Sequence, residues 1–265
     1  MSYETIMVEK TENIEIITLN RPQTLNAWDS QMGLEVTDAL NDARGDRDVK
    51  VVILTGNGRG FSSGADMSAL ASIADNRAPV EGLVNSGPSI VSVALQMRRL
   101  EKPIIGAING TTAGGGFGIA LACDIRIASD RAEFTQVFVR RGLVPDVGST
   151  FFLPKLLGTE KALELIFTGD MIDAEKAVEL GLVSRMVPHD ELMNESMELA
   201  RRIASGPPIA MGLAKRAVYQ GSVSSDLPAH LDFELSMNNL CFSTEDFKEG
   251  VASFLEKRPP KFQGK

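Results

Sequence analysis

Three stretches of this chain bring glycine together with residues able to do chemistry: residues 58–67, 110–118 and 142–150. Glycine clusters either let the backbone turn or let backbone N–H groups approach a ligand closely. Grouped N–H donors of that kind can receive an oxygen on which negative charge develops. Gly56, Gly58 and Gly60 alternate before Phe61, so Gly-x-Gly-x-x-Gly is absent, and so is a Walker A sequence; neither a dinucleotide nor a nucleoside triphosphate site is indicated. Gly60-Phe61-Ser62-Ser63-Gly64 does match the Gly-x-Ser-x-Gly nucleophile elbow. That elbow needs its serine directly after a strand, and residues 56–60 intervene. It also needs a histidine, and the two present, His189 and His230, fall at an expected helix start and inside an expected helix. A histidine-based metal site lacks ligands for the same reason.

The elements that must position these loops read as α/β. Residues 13–19 form a β-branched strand, then a turn at residues 20–24 leads to a helix that Asp29 or Ser30 can cap. In that helix Met32, Val36, Ala39, Leu40 and Ala43 recur at helical spacing. Residues 51–54 are wholly apolar, as buried parallel strands tend to be, and a glycine-broken loop follows. The pattern repeats: an apolar strand at 103–108, the loop Gly110-Thr111-Thr112-Ala113-Gly114-Gly115-Gly116, a helix through Ala122, then a strand at 124–128. Alternation of this kind predicts parallel strands with helical crossovers. Beyond Thr159 helices dominate, with one strand at 183–187, and Gly206-Pro207-Pro208 marks a boundary. Residues 1–205 are therefore read as the core and residues 206–265 as a helical region that packs on the core or on a neighbouring subunit.

With 265 residues the chain can bury a real core. A net charge of −8 argues against nucleic acid as a partner, while leaving room for a phosphorylated ligand held by a few local cations. No run approaches the ~20 apolar residues of a membrane helix, and the N-terminus does not read as a signal peptide, so the expectation is a cytoplasmic protein. Cys123 and Cys241 lie in apolar surroundings and read as small buried core residues.

Taken together and in order, these motifs resemble the crotonase, or enoyl-CoA hydratase/isomerase, superfamily. The resemblance is carried by Leu19-Asn20-Arg21-Pro22 with Leu25-Asn26-Ala27, Phe61-Ser62-Ser63-Gly64-Ala65-Asp66-Met67, and Gly110 with Ala113-Gly114-Gly115-Gly116. It continues through Cys123-Asp124-Ile125-Arg126, Gly142-Leu143-Val144-Pro145, Gly169 with Ala174 and Ala177, Gly181-Leu182-Val183, and Phe254-Leu255-Glu256-Lys257-Arg258-Pro259. It implies a spiral of ββα repeats with a C-terminal helical trimerisation region, a homotrimer or dimer of trimers, and an acyl-CoA thioester substrate of fatty acid metabolism. No separate cofactor and no metal are implied, coenzyme A being part of the substrate. The oxyanion hole carries over onto the N–H groups of Ala65 and Gly115. Gln23, Leu25 and Ala27 fall where the family contacts adenine and pantetheine. Met67 and Leu70 are candidates for lining the acyl pocket, and Ser63, Asp66 and Phe138 are further substrate-binding candidates. Lys257 and Lys261, with Arg258, are candidates for the CoA phosphates.

The sequence departs from the family's hydratases at both water-positioning glutamates. Gly118 stands at the first position and Phe138 at the second. One carboxylate remains, Asp146 in Gly142-Leu143-Val144-Pro145-Asp146-Val147-Gly148, which resembles the Pro-Asp loop of the epoxyphenylacetyl-CoA and enoyl-CoA isomerase branch. A single carboxylate suffices to lift a proton from one carbon and return it to another. The expectation is therefore an enoyl-CoA isomerase with Asp146 as acid/base. A hydratase-like lyase and a non-catalytic thioester-binding subunit are the alternatives. The structural alternative for Asp146 is a helix N-cap.

Overall fold

The computed structural model describes residues 3–75 and 89–265. Strand β1 (Ile6–Thr11) pairs antiparallel with β2 (Ile14–Leu19) across a tight turn in which Glu12 and Asn13 both adopt positive φ. Helix α1 (Ser30–Gly45) follows, its N-terminus capped by the Asp29 carboxylate accepting from the Met32 N–H at 2.8 Å. This satisfies one of the donors that a helix start leaves open.

Three ββ units come next, and each splits its two strands between two sheets. In the first, β3 (Val51–Gly56) leads to β4 (Gly60–Ser62) and then α2 (Met67–Ala74). Helix α3 (Ile90–Arg99), capped by Ser89, comes before the second unit. That unit runs from β5 (Ile104–Ile108) to β6 (Thr111–Ala113) and α4 (Gly115–Ala122). In the third, β7 (Ile125–Ser129) leads to β8 (Glu133–Thr135) and, through a loop, to α5 (Ser149–Leu157). The first strand of each unit joins a six-stranded sheet of order β1-β2-β3-β5-β7-β10, where β10 is Arg185–Val187. The second strand joins a four-stranded sheet of order β4-β6-β8-β9, where β9 is Met171–Asp173. Parallel pairing runs from β2 through β10 in the first sheet and from β4 through β8 in the second. This is the ββα spiral that the resemblance implies.

Composition explains which strands lie inside. The apolar residues of β3 and β5 are buried on both faces, as strands covered by crossover helices must be. The main core gathers Ile17, Leu19, Met32, Phe61, Phe117, Phe134 and Leu153. A second cluster, Ile53, Ile105 and Ile127 with Leu192 and Ala200, lies under helix α8 (Leu192–Ala204). Helix α4 is buried at all eight of its residues. Helices α6 (Thr159–Thr168) and α7 (Ala174–Glu179) lie between α5 and β10 in the chain. The chain ends in α9 (Pro208–Gly221), α10 (Leu227–Phe242) and α11 (Glu245–Glu256). Cys123 is fully buried, whereas Cys241 is only half-buried in α10, because the helix exposes much of its apolar surface.

Candidate active site

The two loops that leave the paired strands meet face to face. Trp28 donates to the Gly64 carbonyl at 2.8 Å and Asp66 donates to the Trp28 carbonyl at 2.9 Å. These bonds hold the chain on either side of Ala65. Gly114, at φ +52° and ψ −124°, takes a conformation open to glycine and turns the chain into α4, so that Gly115 is that helix's first residue. Among the described residues, neither the Ala65 N–H nor the Gly115 N–H has an acceptor. Gly64, at φ +88°, lies directly against the second loop. A Cβ added there would come within 2.9 Å of the Gly115 nitrogen and 2.8 Å of the Ala113 carbonyl oxygen. Only the absence of side chains lets two turns from separate ββ units come this close. The partial positive end of α4 adds to the field at the Gly115 amide.

Ala65 and Gly115 both line one cavity of about 270 Å³. Its wall includes Thr24, Ala27, Ser63, Ala65, Asp66 and Met67 on one side. Gly114, Gly115, Val137, Phe138, Arg141, Leu143 and Asp146 form the other, with Ile90 from α3. Thus eight of the residues assigned from sequence converge here: Ala27, Ser63, Ala65, Asp66, Met67, Gly115, Phe138 and Asp146. Gln23 and Leu25 flank the lining residue Thr24 without lining the cavity themselves. The side chain of Leu70 lies outside the described residues, as do residues 76–88. Lys257 and Lys261 sit on the C-terminal tail, away from the cavity of their own chain. Arg258 is engaged by Glu249 at 2.6 Å and Glu256 at 2.6 Å.

Among the described residues two carboxylates line the cavity, and they differ in availability. Asp66 accepts from the Ser68 hydroxyl at 2.7 Å and backbone at 3.0 Å, and from Arg21 at 3.0 Å. These bonds, the Ser68 hydroxyl's first, hold it below the usual carboxylate range, so it stays ionised and committed. Asp146 is exposed in the single chain. The surrounding protein still desolvates its carboxyl enough to push it above the ordinary value, opposed only by its own N–H. It caps no helix: Gly148 occupies the N-cap of α5, and no side chain bonds that helix end. The capping alternative is thereby removed.

The hydrolase elbow is removed as well. Ser62 is fully buried and donates to the Asn26 carbonyl at 2.9 Å, while Ser63 donates to Thr24 at 3.0 Å. His189 pairs with Ser129 and His230 with Glu234, each away from the elbow. Among the described residues no cluster of side chains suits a metal ion, and no helix is long and apolar enough to cross a membrane. Arg141, Val137, Leu143, Thr24 and Ile90 were not assigned from sequence. Val137 adjoins Phe138, and Arg141 and Leu143 flank Gly142 in the Asp146 loop. That proximity was the available signal.

Residues 9–265 match the profile of the enoyl-CoA hydratase/isomerase family. The chain belongs to the enoyl-CoA hydratase/isomerase family. Over 266 residues it is 36% identical to the crotonyl-CoA hydratase of Syntrophomonas wolfei subsp. wolfei, covering 100% of both chains. It is 34% identical to the 1,2-epoxyphenylacetyl-CoA isomerase of Escherichia coli, covering 99% of each. Among solved structures, enoyl-CoA hydratase from Bacillus anthracis superposes with a TM-score of 0.93 at 35% identity, covering 99% of this chain and 100% of that one. The crotonase fold expected from the sequence is therefore the fold observed, and the protein is an enzyme of this family, which acts on CoA thioesters. Relatives in the family carry both hydratase and isomerase names.

Proposed function

We propose that the protein is an enoyl-CoA isomerase that moves a carbon–carbon double bond from the β,γ to the α,β position of an acyl-CoA. One observation carries this reading. Among the described residues, the cavity is lined by Ala65 and Gly115, whose backbone N–H groups have no acceptor, and by one uncommitted carboxylate, Asp146, and Gly118 and Phe138 stand where hydratases of the family place glutamates.

The Asp146 carboxylate removes a proton from the carbon next to the thioester carbonyl. The electron pair moves into a dienolate whose charge rests on the thioester oxygen, between the N–H groups of Ala65 and Gly115. Such donors act on charge that grows in the transition state, and each contributes roughly 3 kcal/mol. The protonated Asp146 then returns its proton to the γ carbon, and the double bond ends in conjugation with the thioester. A carboxyl raised by desolvation suits both directions of transfer, since its two protonation states lie closer in energy near neutrality. Phe138, nearly buried, supplies apolar wall where a carboxylate would otherwise hold water.

The CoA moiety would leave the cavity past Thr24 and Ala27, with Gln23 and Leu25 alongside. Lys257 and Lys261 would meet its phosphates from a neighbouring copy, since they lie apart from the cavity of their own chain. The exposed apolar side chains of α10 and α11 support a trimeric assembly.

The test supplies a 3-enoyl-CoA and a 2-enoyl-CoA separately and follows conjugated-thioester absorbance. Isomerisation gives a rise with the first substrate, which Asp146→Asn abolishes. A fall with the second substrate would assign hydration instead, the activity named for several relatives. No change with either, alongside tight thioester binding, would leave a binding subunit.

A further inference from the structure

The loop that presents Asp146 contains a local contradiction. Val147 adopts φ +52° and Gly148 φ +77°, and the Ser149 N–H closes on the Asp146 carbonyl at 2.9 Å. Two left-handed residues inside an i to i+3 hydrogen bond make a turn of the type I′ kind, which favours Asn, Asp or Gly at its first central position. A β-branched residue there is a genuine outlier. Strain of this sort persists only where surrounding structure over-determines it, and it gathers at functional sites.

The over-determining contact is visible. Val147 is 1% exposed and its side chain seats on the face of α4 at Gly118. A Cβ at position 118 would lie 2.6 Å from the Val147 Cβ and 2.8 Å from its carbonyl oxygen. One turn earlier on the same helix, a Cβ at Gly115 would lie 3.3 Å from a Val147 methyl. The same valine therefore touches the helix position beside the candidate oxyanion amide and sets the backbone immediately after the candidate acid/base.

We propose that Val147 is a positioning residue: its side chain, seated on Gly118, holds the left-handed turn that aims Asp146 into the cavity and backs the Gly115 amide. The inference rests on Asp146 and the Gly115 N–H acting as described under the proposed function. Gly118 then has a physical role as well as a missing side chain. It is the socket, and any side chain at 118 would evict the valine.

The test compares Val147→Ala, which keeps the cost of positive φ but empties the socket, and Gly118→Ala with the wild type in the 3-enoyl-CoA isomerase assay. Binding of butyryl-CoA, a saturated thioester probe, is measured on the same samples. A misplacement near 1 Å can lower rate by about 100-fold, so kcat is expected to fall about tenfold or more while Kd for butyryl-CoA stays within about threefold. Because both substitutions act on one contact, Gly118→Ala combined with Val147→Ala should be no slower than the worse single variant. If Gly118→Ala does not fold, Val147→Ala decides by the same split. The inference is overturned if kcat survives in Val147→Ala while Asp146→Asn is inactive. It is also overturned if kcat and thioester binding fall together, or if the two substitutions multiply. Failure of the underlying reading would look different: wild-type protein itself would not isomerise the substrate.

Discussion

At the residue scale, the decisive contrast is between two aspartates on one cavity. Asp66 is saturated with donors and held low, whereas Asp146 is desolvated and raised. For a base that must be ionised to take the first proton, the acid limb of the kcat/KM profile should lie above the ordinary aspartate value of about 3.9. A pH–rate series on a 3-enoyl-CoA checks this, and a limb at or below that value would remove Asp146 from the role. The same displacement carries a stability consequence. A carboxyl whose folded value is raised contributes stability fully at pH below its unfolded value and loses it as pH climbs through the folded one. Asp146→Asn should therefore melt higher than wild type at neutral pH, with the gain vanishing in acid. Thermal melts across that range would show it, alongside a loss of isomerase activity of roughly 10²–10⁴-fold.

At the element scale, α4 is placed by the smallness of one face. Gly116 lies so close to β4 that a Cβ there would come within 2.6 Å of the Ser62 Oγ, and nearer still to the Ser62 carbonyl oxygen. Gly116→Ala should lower unfolding free energy by about 1–3 kcal/mol through overpacking, as measured by urea denaturation. It should also slow catalysis by displacing the amide one residue earlier. Strand β2 offers a second case. Glu15 is wholly buried, and neither of its carboxylate oxygens has a hydrogen-bond partner among the described residues. Lys10 stands 3.6 Å away but is drawn to Asp42 at 2.6 Å and Asp46 at 2.8 Å. Burial pushes Glu15 up to about 7. The sign is again that of a raised group, so stability should decline as pH rises through that value. Glu15→Gln should flatten the decline, and urea midpoints measured on both sides of neutrality decide it.

At the scale of the whole molecule, the helical tail is fastened to the body by buried charge. Lys215 on α9 bonds Asp124 at 2.7 Å and donates to the carbonyls of Met97 and Lys102 at 3.2 and 3.1 Å. Tyr219 also donates to Asp124, and Arg98 lies between the rings of Phe152 and Tyr219. Removing one partner of such a pair leaves the other unpaired in a dry setting, typically at about 3–5 kcal/mol. Lys215→Met should be destabilised on that order, read from denaturant unfolding. Further along, Leu231, Leu235, Phe242, Phe254 and Leu255 are all more than half exposed. So much apolar surface on one run of helices is expected to be covered by further copies of the chain. Sedimentation should give a trimer or its multiple, weakened in Leu231→Asp/Leu235→Asp. A monomeric wild type would refute the assembly.

Some of this was legible without coordinates. The apolar runs at 51–54 and 103–108 announce buried parallel strands because only burial on both faces tolerates them. A helix start capped by Asp29 or Ser30 and the three glycine loops could be read from local chemistry, and the ordered motifs indicated both the spiral and Asp146 as its remaining carboxylate. What local rules could not supply were relations between segments far apart in the chain. Whether Asp146 caps a helix depends on where the turn places α5, and that turn runs against valine's own preference because Gly118, nearly thirty residues earlier, offers it a socket. Arg141 joins the cavity, and Gln23 and Leu25 stay beside it, only through how the loops pack. Residue types and short spacings determined which chemistry was available. The tertiary structure decided which groups are free to perform it, because desolvation, steric exclusion and close approach arise only once distant segments share the same space.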